Sequence, residues 1–130
     1  MAIHGSDIDA KYLQIRDIKI VRGDTFGFRI RMMNNRTPVV LSANSIVTFE
    51  VFDVGNNVIA KKQYTSENAN QDTNGYINIA LEPTVTNTFK SQGQYTYELE
   101  WLVNSSTIYT LLQGNVHVIP DKITNARRGT

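Results

Sequence analysis

The sequence predicts an all-β fold, with about seven antiparallel strands arranged as a sandwich or a barrel and one short helix at a corner. Three observations support this prediction. Apolar and polar residues alternate with a period of two along most of the chain. Turn-forming residues separate these alternating stretches at intervals of about 8–12 residues. Helical signals occur in one segment, which is too short to be more than a corner helix.

The sequence pattern of the N-terminal region predicts an arm followed by two strands. Residues 1–14 mix small and polar residues without periodicity, so we expect a flexible arm there. Residues 17–21 and 25–32 are the strands, and the even-numbered positions of the second strand are apolar and share one face. The turn between them, Arg22-Gly23-Asp24, spells the integrin-binding tripeptide, but a strand-to-strand turn accounts for it fully.

The middle of the chain predicts a turn, a link and a hairpin. The turn covers residues 34–38, because Asn tolerates a positive φ and Pro fixes φ. Residues 39–41 follow as a short strand or an extended link. The alternating strand 46–53 then pairs with strand 58–64 through a turn at Gly55-Asn56-Asn57. Residues 65–74 are polar and predict a loop without an apolar anchor.

The last part of the chain predicts the helix and the longest strands. After a strand at 76–81, Pro83 suits the first turn of a helix that runs to Lys90. Strands 94–103 and 107–119 follow, and the polar residues 121–130 form a tail. A glycine inside the last strand, Gly114, indicates a bulge or a close approach of another backbone.

The predicted core consists of the inward-facing apolar residues of these elements. They are Ile18, Ile20, Phe26, Phe28, Ile30, Met32, Leu41, Val47, Phe49, Val51, Ile77, Ile79, Leu81, Phe89, Tyr95, Tyr97, Leu99, Trp101, Leu112, Val116 and Val118.

Composition excludes several classes of function. The 130 residues contain no cysteine, so disulfides, thiolate catalysis and Cys-based zinc sites are ruled out. The net charge is +1, without the clustered positive charge that nucleic-acid binding needs. No apolar run reaches the length of a membrane span, and residues 1–11 lack the apolar core of a signal peptide, so we expect synthesis in the cytoplasm.

The candidates for catalysis or metal binding are few. His4 falls in the arm, and His117 alternates with inward-facing residues and should face solvent. Glu98 and Glu100 share a strand face at a spacing that a glycosidase pair permits, but two acids on an exposed strand are usually a solvated surface. They could instead pair across strands with the arginines of strand 25–32, Arg29 and Arg31. No nucleotide-binding, nucleophile-elbow or zinc-protease motif is present, and we expect no cofactor and no catalytic or metal site.

Tyr95, Tyr97 and Trp101 lie on one face of strand 94–103 and could stack on a sugar. They share that face with apolar residues, which favours a place in the core. Tyr95 comes soon after the corner helix and also suits a tyrosine corner, in which the hydroxyl bonds backwards to the main chain. A glycan-binding module therefore stays as an alternative that requires exposed rings, and an enzyme as a weaker one.

A series of short motifs resembles the N-terminal domain of phage baseplate upper proteins and related immunoglobulin-like modules of phage tail and head-fibre proteins. Over about residues 15–120 the motifs are Ile20-Val21-Arg22-Gly23-Asp24-Thr25-Phe26, Pro38-Val39-Val40-Leu41, Ile46-Val47-Thr48-Phe49, Gly75-Tyr76-Ile77, Thr88, Gly93-Gln94-Tyr95-Thr96-Tyr97-Glu98-Leu99-Glu100 and Thr110-Leu111-Leu112-Gln113-Gly114-Asn115-Val116.

The resemblance implies an immunoglobulin-like antiparallel β-sandwich that anchors other parts of a phage particle and carries no catalytic residues. We therefore expect a structural virion protein, made in the bacterial cytoplasm, whose partners are other virion proteins and copies of itself. We expect no nucleic-acid or membrane partner. A tail or baseplate adaptor and a capsid decoration or head-fibre protein remain open, as does a host-surface glycan as ligand.

Overall fold

The computed structural model describes residues 7–90 and 93–120, and it confirms the all-β sandwich with one short helix. No helix in these residues has the length and apolarity that a membrane crossing needs. In chain order the elements are β1 (Asp7–Asp9), β2 (Gln14–Ile15), β3 (Ile18–Val21), β4 (Phe26–Asn34), β5 (Thr37–Pro38), β6 (Ile46–Phe52), β7 (Val58–Tyr64), β8 (Tyr76–Leu81), α1 (Pro83–Thr86), β9 (Tyr95–Asn104) and β10 (Thr107–Ile119).

The strands form a four-stranded and a six-stranded sheet. In the four-stranded sheet, β4 pairs with β1, β5 and β8. In the six-stranded sheet, the order is β2-β10-β9-β6-β7, and β3 also pairs with β10. Both sheets are mixed rather than purely antiparallel, because β1 runs parallel to β4 and both β2 and β3 run parallel to β10.

The N-terminal segment differs most from prediction. From Asp7 onward it is not an arm: Ile8 is completely buried, and β1 adds a strand to the four-stranded sheet. The chain then crosses to the six-stranded sheet, where it forms β2 and β3. Arg31 donates two hydrogen bonds to the Asp7 carboxylate, at 2.8 and 2.9 Å, and so holds β1 against β4. Residues 1–6 of the predicted arm and the predicted tail 121–130 lie outside the described residues.

The prediction for Gly114 is confirmed as a close backbone approach. A Cβ at this position would lie 2.0 Å from the carbonyl oxygen of Arg16, in the kink between β2 and β3. The same oxygen accepts a 2.6 Å hydrogen bond from the buried hydroxyl of Tyr97. The bulge in β10 lies elsewhere, between Thr110 and Leu112.

The turn predicted at residues 34–38 is a tight hairpin between β4 and β5. Asn35 and Arg36 both have positive φ, at 53° and 66°, as the favoured two-residue hairpin turn requires. The buried carboxylate of Asp9 accepts hydrogen bonds from the backbone N–H groups of both residues and of Lys11. One side chain of β1 therefore fixes the tip of the neighbouring hairpin.

The helix is shorter than predicted, a single turn over Pro83–Thr86. Its buried Thr86 accepts a hydrogen bond from Gly23 N–H and donates one to the Asp24 carbonyl. Arg22 donates from Nε to the Phe89 carbonyl. The Arg-Gly-Asp tripeptide is thus the predicted turn, and the helical corner holds it in place.

The predicted core is largely confirmed. Seventeen of its side chains are buried, and the remaining four, Ile18, Phe26, Phe28 and Val118, are partly buried against them. The prediction missed the buried apolar residues Ile8, Ala10, Met33, Ala60, Ala69 and Leu111. Leu111 and Leu112 are both inside because the bulge in β10 changes the phase of alternation between them. The loop at 65–74 was predicted to lack an apolar anchor, but its residue Ala69 is buried in the core.

Candidate interaction surface

The outer face of the six-stranded sheet, here called the open face, presents apolar side chains at its end near the β9–β10 hairpin. Ile108 on β10, Leu102 on β9 and Ile46 on β6 are register partners in one row across three strands. They point outward because their neighbours Trp101 and Val47 point into the core. Ile108 is 57% exposed, and Leu102 and Ile46 are half-buried.

An open depression adjoins this row. Ile46 and Leu102 contribute to its lining together with the polar residues Asn44, Asn104 and Ser105. A second exposed apolar side chain, Ile15, lies beside Gln113 on the edge strand β2 and is 72% exposed. A row of large apolar side chains on the surface of a domain is typical of protein–protein contact sites.

The middle of the open face is acidic. Glu98 on β9 and Glu50 on β6 are directly opposite each other, and Glu100 follows on the same face of β9. Lys61 on β7, opposite Glu50, is the basic residue of this group. Like charges directly opposite each other in a sheet are destabilising, so the Glu50–Glu98 pair does not itself stabilise the fold.

The predicted pairing of these carboxylates with Arg29 and Arg31 is wrong, because both arginines lie on β4 in the other sheet. There the guanidinium of Arg29 stacks on the ring of Tyr76, 3.7 Å from its centroid, and Arg31 pairs with Asp7. This outer face therefore satisfies its charges internally, through a cation–π contact and a bidentate ion pair.

The aromatic row proposed for glycans is buried. Tyr95, Tyr97 and Trp101 are at most 8% exposed, and Trp101 packs on Tyr109 in the core. The hydroxyl of Tyr95 accepts a 2.8 Å hydrogen bond from Lys90 N–H, which confirms the tyrosine corner. The glycan-binding alternative needed exposed rings, and the packing of these rings in the core removes its basis.

Burial raises the pKa of the Tyr97 hydroxyl, and this hydroxyl donates a hydrogen bond to the carbonyl oxygen of Arg16. By contrast, the buried indole Nε1 of Trp101 has no hydrogen-bond partner among the described residues. This unpaired donor lies inside the core, where it offers nothing to a ligand at the surface.

His117 faces solvent, as predicted, and contacts the carboxylate of Asp17 at 3.2 Å. The N–H of Asn115 and the imidazole of His117 lower the pKa of Asp17 below its usual value. Across residues 7–90 and 93–120, no three His, Asp or Glu side chains are grouped closely enough to hold a metal ion. His4 lies outside the described residues.

Sequence reasoning missed the open face as a site. Ile46, Leu102 and Ile108 each stand at an outward position of an alternating strand, which was the available signal. That they form one row, and that Glu50 meets Glu98, depends on the register between strands distant in sequence. Alternation within one strand does not encode that register.

No family model matches this chain, and no curated protein does. Among solved structures, it is similar to an alternative pilotin from the type II secretion system of Vibrio cholerae, with 18% identity and a TM-score of 0.39. That match covers 72% of this chain and 99% of the pilotin. Extracellular domains 3–5 of Drosophila OTK match with 13% identity and a TM-score of 0.32, over 83% of this chain and 33% of theirs.

Proposed function

We propose that this chain is a non-enzymatic structural module of a bacteriophage particle, which docks on or anchors other virion components through its open face. The observation that supports this function most is the open face itself. It combines the exposed Ile108 and Ile15 with the carboxylates Glu50, Glu98 and Glu100. Protein–protein interfaces combine an apolar core with a polar rim, and this face offers side chains of both kinds.

The phage assignment is supported by the resemblance to baseplate upper proteins and to tail and head-fibre modules. The all-β sandwich and the tyrosine corner at Tyr95 fit the immunoglobulin-like architecture of those modules. A tail or baseplate adaptor and a capsid decoration protein would both use such a domain.

The partner surface is basic and partly apolar. Three carboxylates against one lysine give the centre of the open face a net negative charge, and complementary charge steers docking and fixes its orientation. The opposed pair Glu50 and Glu98 would gain stability when a Lys or Arg of the partner comes between them.

A charge reversal separates docking from folding. In Glu98→Lys, the new lysine faces Glu50, so the folded domain should be as stable as the wild type or more stable. The same lysine would meet the basic partner surface, and we expect the amount of this protein in purified particles to fall about tenfold. The measurement is quantitative mass spectrometry of particles grown with each variant, with thermal unfolding of the free protein alongside.

Glu67→Lys is the matched control, because Glu67 is exposed in the loop after β7 and lies off the open face. It should leave incorporation at the wild-type level. Normal incorporation of Glu98→Lys, at unchanged stability, would show that the open face is not the docking surface.

A further inference from the structure

Part of one edge of the last strand, β10, has no paired strand among the described residues. One edge of β10 pairs with β9 along residues 107–116, and the other pairs with β2 at residues 112–113 and with β3 at residues 116–119. Within the described residues, the stretch Thr107–Leu111 therefore has no neighbouring strand on its second edge. Such an edge presents free backbone N–H and C=O groups, which are a template for pairing with another chain.

Other sheet edges carry features that discourage pairing. The edge strand β7 contains Lys61 and Lys62, and its Tyr64 hydroxyl accepts a hydrogen bond from the N–H of Ala80 on β8. The ion pair between Lys62 and Glu82 closes the same side of the sandwich. At other edges, β3 carries Lys19 and β5 ends in Pro38.

The stretch at residues 107–111 has none of these protections. Its sequence, Thr-Ile-Tyr-Thr-Leu, contains no charge, no proline and no glycine, and its β-branched and aromatic residues favour strands. Short segments with this composition are those that pair most readily with a copy of themselves. Apolar side chains on and beside this edge are also exposed. Ile108 lies on the strand itself, Ile15 lies on the adjoining strand β2, and Tyr12 and Leu13 precede β2. Each of the four side chains is at least 48% exposed.

We propose that a second copy of this chain covers the edge, with residues 107–111 of the two copies paired antiparallel about a twofold axis. Identical strands paired in this way form a self-complementary interface, and the absence of charge means that no like charges meet across the axis. The pairing continues the six-stranded sheet into the partner and brings the apolar rows that contain Ile108 side by side. This inference goes beyond docking in the particle, because it names a strand edge, which shares Ile108 with the open face, and a second copy of the chain as its occupant.

The interface predicts a reversible dimer. A ladder of five residues with its flanking side chains is smaller than the roughly 800 Å² per partner of a stable interface. We therefore expect the free protein to dimerise at concentrations on the order of 100 µM rather than at nanomolar concentrations.

Sedimentation equilibrium of the full chain tests the proposal. The wild type should show a monomer–dimer equilibrium. Ile108→Lys places a lysine of each copy opposite Thr110 of the other copy, next to the axis, and should weaken dimerisation at least tenfold. Val58→Lys is the matched control, because Val58 is 49% exposed but lies on β7. A wild type that stays monomeric up to about 1 mM, or an Ile108→Lys variant that dimerises like the wild type, would overturn the proposal.

Cross-linking provides a second readout that does not depend on the lysine variant. The chain has no cysteine, so Ile108→Cys/Thr110→Cys introduces thiols only at the outward positions of this edge. Mild oxidation should yield a covalent dimer, whereas Lys61→Cys/Gln63→Cys on β7 should not. Equal cross-linking of the two pairs would contradict specific pairing. Both experiments read the association of the free protein, whereas the Glu98→Lys experiment reads incorporation into particles, so the edge and the open face can fail separately.

Discussion

At the scale of single residues, two positions, Asp9 and Gly114, tie the N-terminal segment to the rest of the domain. Asp9 is buried and accepts three backbone hydrogen bonds, from Lys11, Asn35 and Arg36. Burial opposes its ionisation, but these three N–H groups together with the charge of Lys11 outweigh it and lower the pKa of Asp9 below its usual value. Gly114 leaves room for the carbonyl of Arg16.

Asp9→Ala should lower the free energy of unfolding by about 2–3 kcal/mol, because it leaves buried N–H groups without an acceptor. Urea unfolding at pH 7 measures this. Asp53→Ala is the comparison, since Asp53 makes similar bonds to Gly55 and Asn57 in an exposed turn and should cost about 1 kcal/mol or less. Equal losses in the two variants would show that burial of Asp9 adds nothing.

The lowered pKa also predicts a pH dependence. A carboxyl whose pKa is lower in the folded state stabilises the fold at pH values above its unfolded pKa. That contribution from Asp9 is complete at neutral pH and disappears as the pH falls below about 4, towards the folded pKa. Between pH 6 and pH 3 the wild type should therefore lose more stability than Asp9→Ala, as measured by urea unfolding across this range. Parallel pH profiles would contradict this role.

Gly114→Ala should destabilise the fold by about 3 kcal/mol, because the added methyl group meets a main-chain oxygen that cannot rotate away. Gly55→Ala is the control: its methyl group would meet only side-chain atoms, of Asn57 and Asp53, in an exposed turn. Thermal unfolding of both variants measures the difference. A similar melting temperature for the two would mean that the kink at Arg16 can shift.

At the scale of the elements, the segment from Asp7 to Val21 joins the two sheets. Its first strand pairs with β4, and its later strands pair with β10. Alternation in the sequence predicted the strands of six residues or more closely, with strand 76–81 matching β8 and strand 107–119 matching β10. It failed for β1 because three residues are too few to show a period of two. The helix predicted to run to Lys90 was too long, since the helix ends at Thr86 after a single turn.

Removal of residues 1–14 should therefore destabilise the whole domain, and Ile8→Ala alone should cost about 3 kcal/mol through the cavity it leaves. Ile15→Ala is the control, because an isoleucine that is 72% exposed should change stability by less than about 0.5 kcal/mol. Chemical unfolding monitored by the fluorescence of Trp101 measures all three. A truncated protein with wild-type stability would restore the interpretation of this segment as an arm.

At the scale of the whole molecule, the domain has two different outer surfaces. The four-stranded sheet satisfies its arginines internally, whereas the open face carries three carboxylates beside one lysine and an apolar row. The sandwich and most of its core could be predicted from the sequence, because inward-facing residues are apolar within each strand. The open face could not, because it is created by the register between β6, β9 and β10.

The measurement that tests the central proposal most directly is cryo-electron microscopy of the native phage particle. The proposal predicts density for this sandwich within the particle, with Glu50, Glu98 and Ile108 against a basic, partly apolar surface of a neighbouring subunit. Density at the tail or baseplate would make it an adaptor, and density on the capsid lattice would make it a decoration protein. A particle without this domain, or a bound domain whose open face points into solvent, would contradict the proposal.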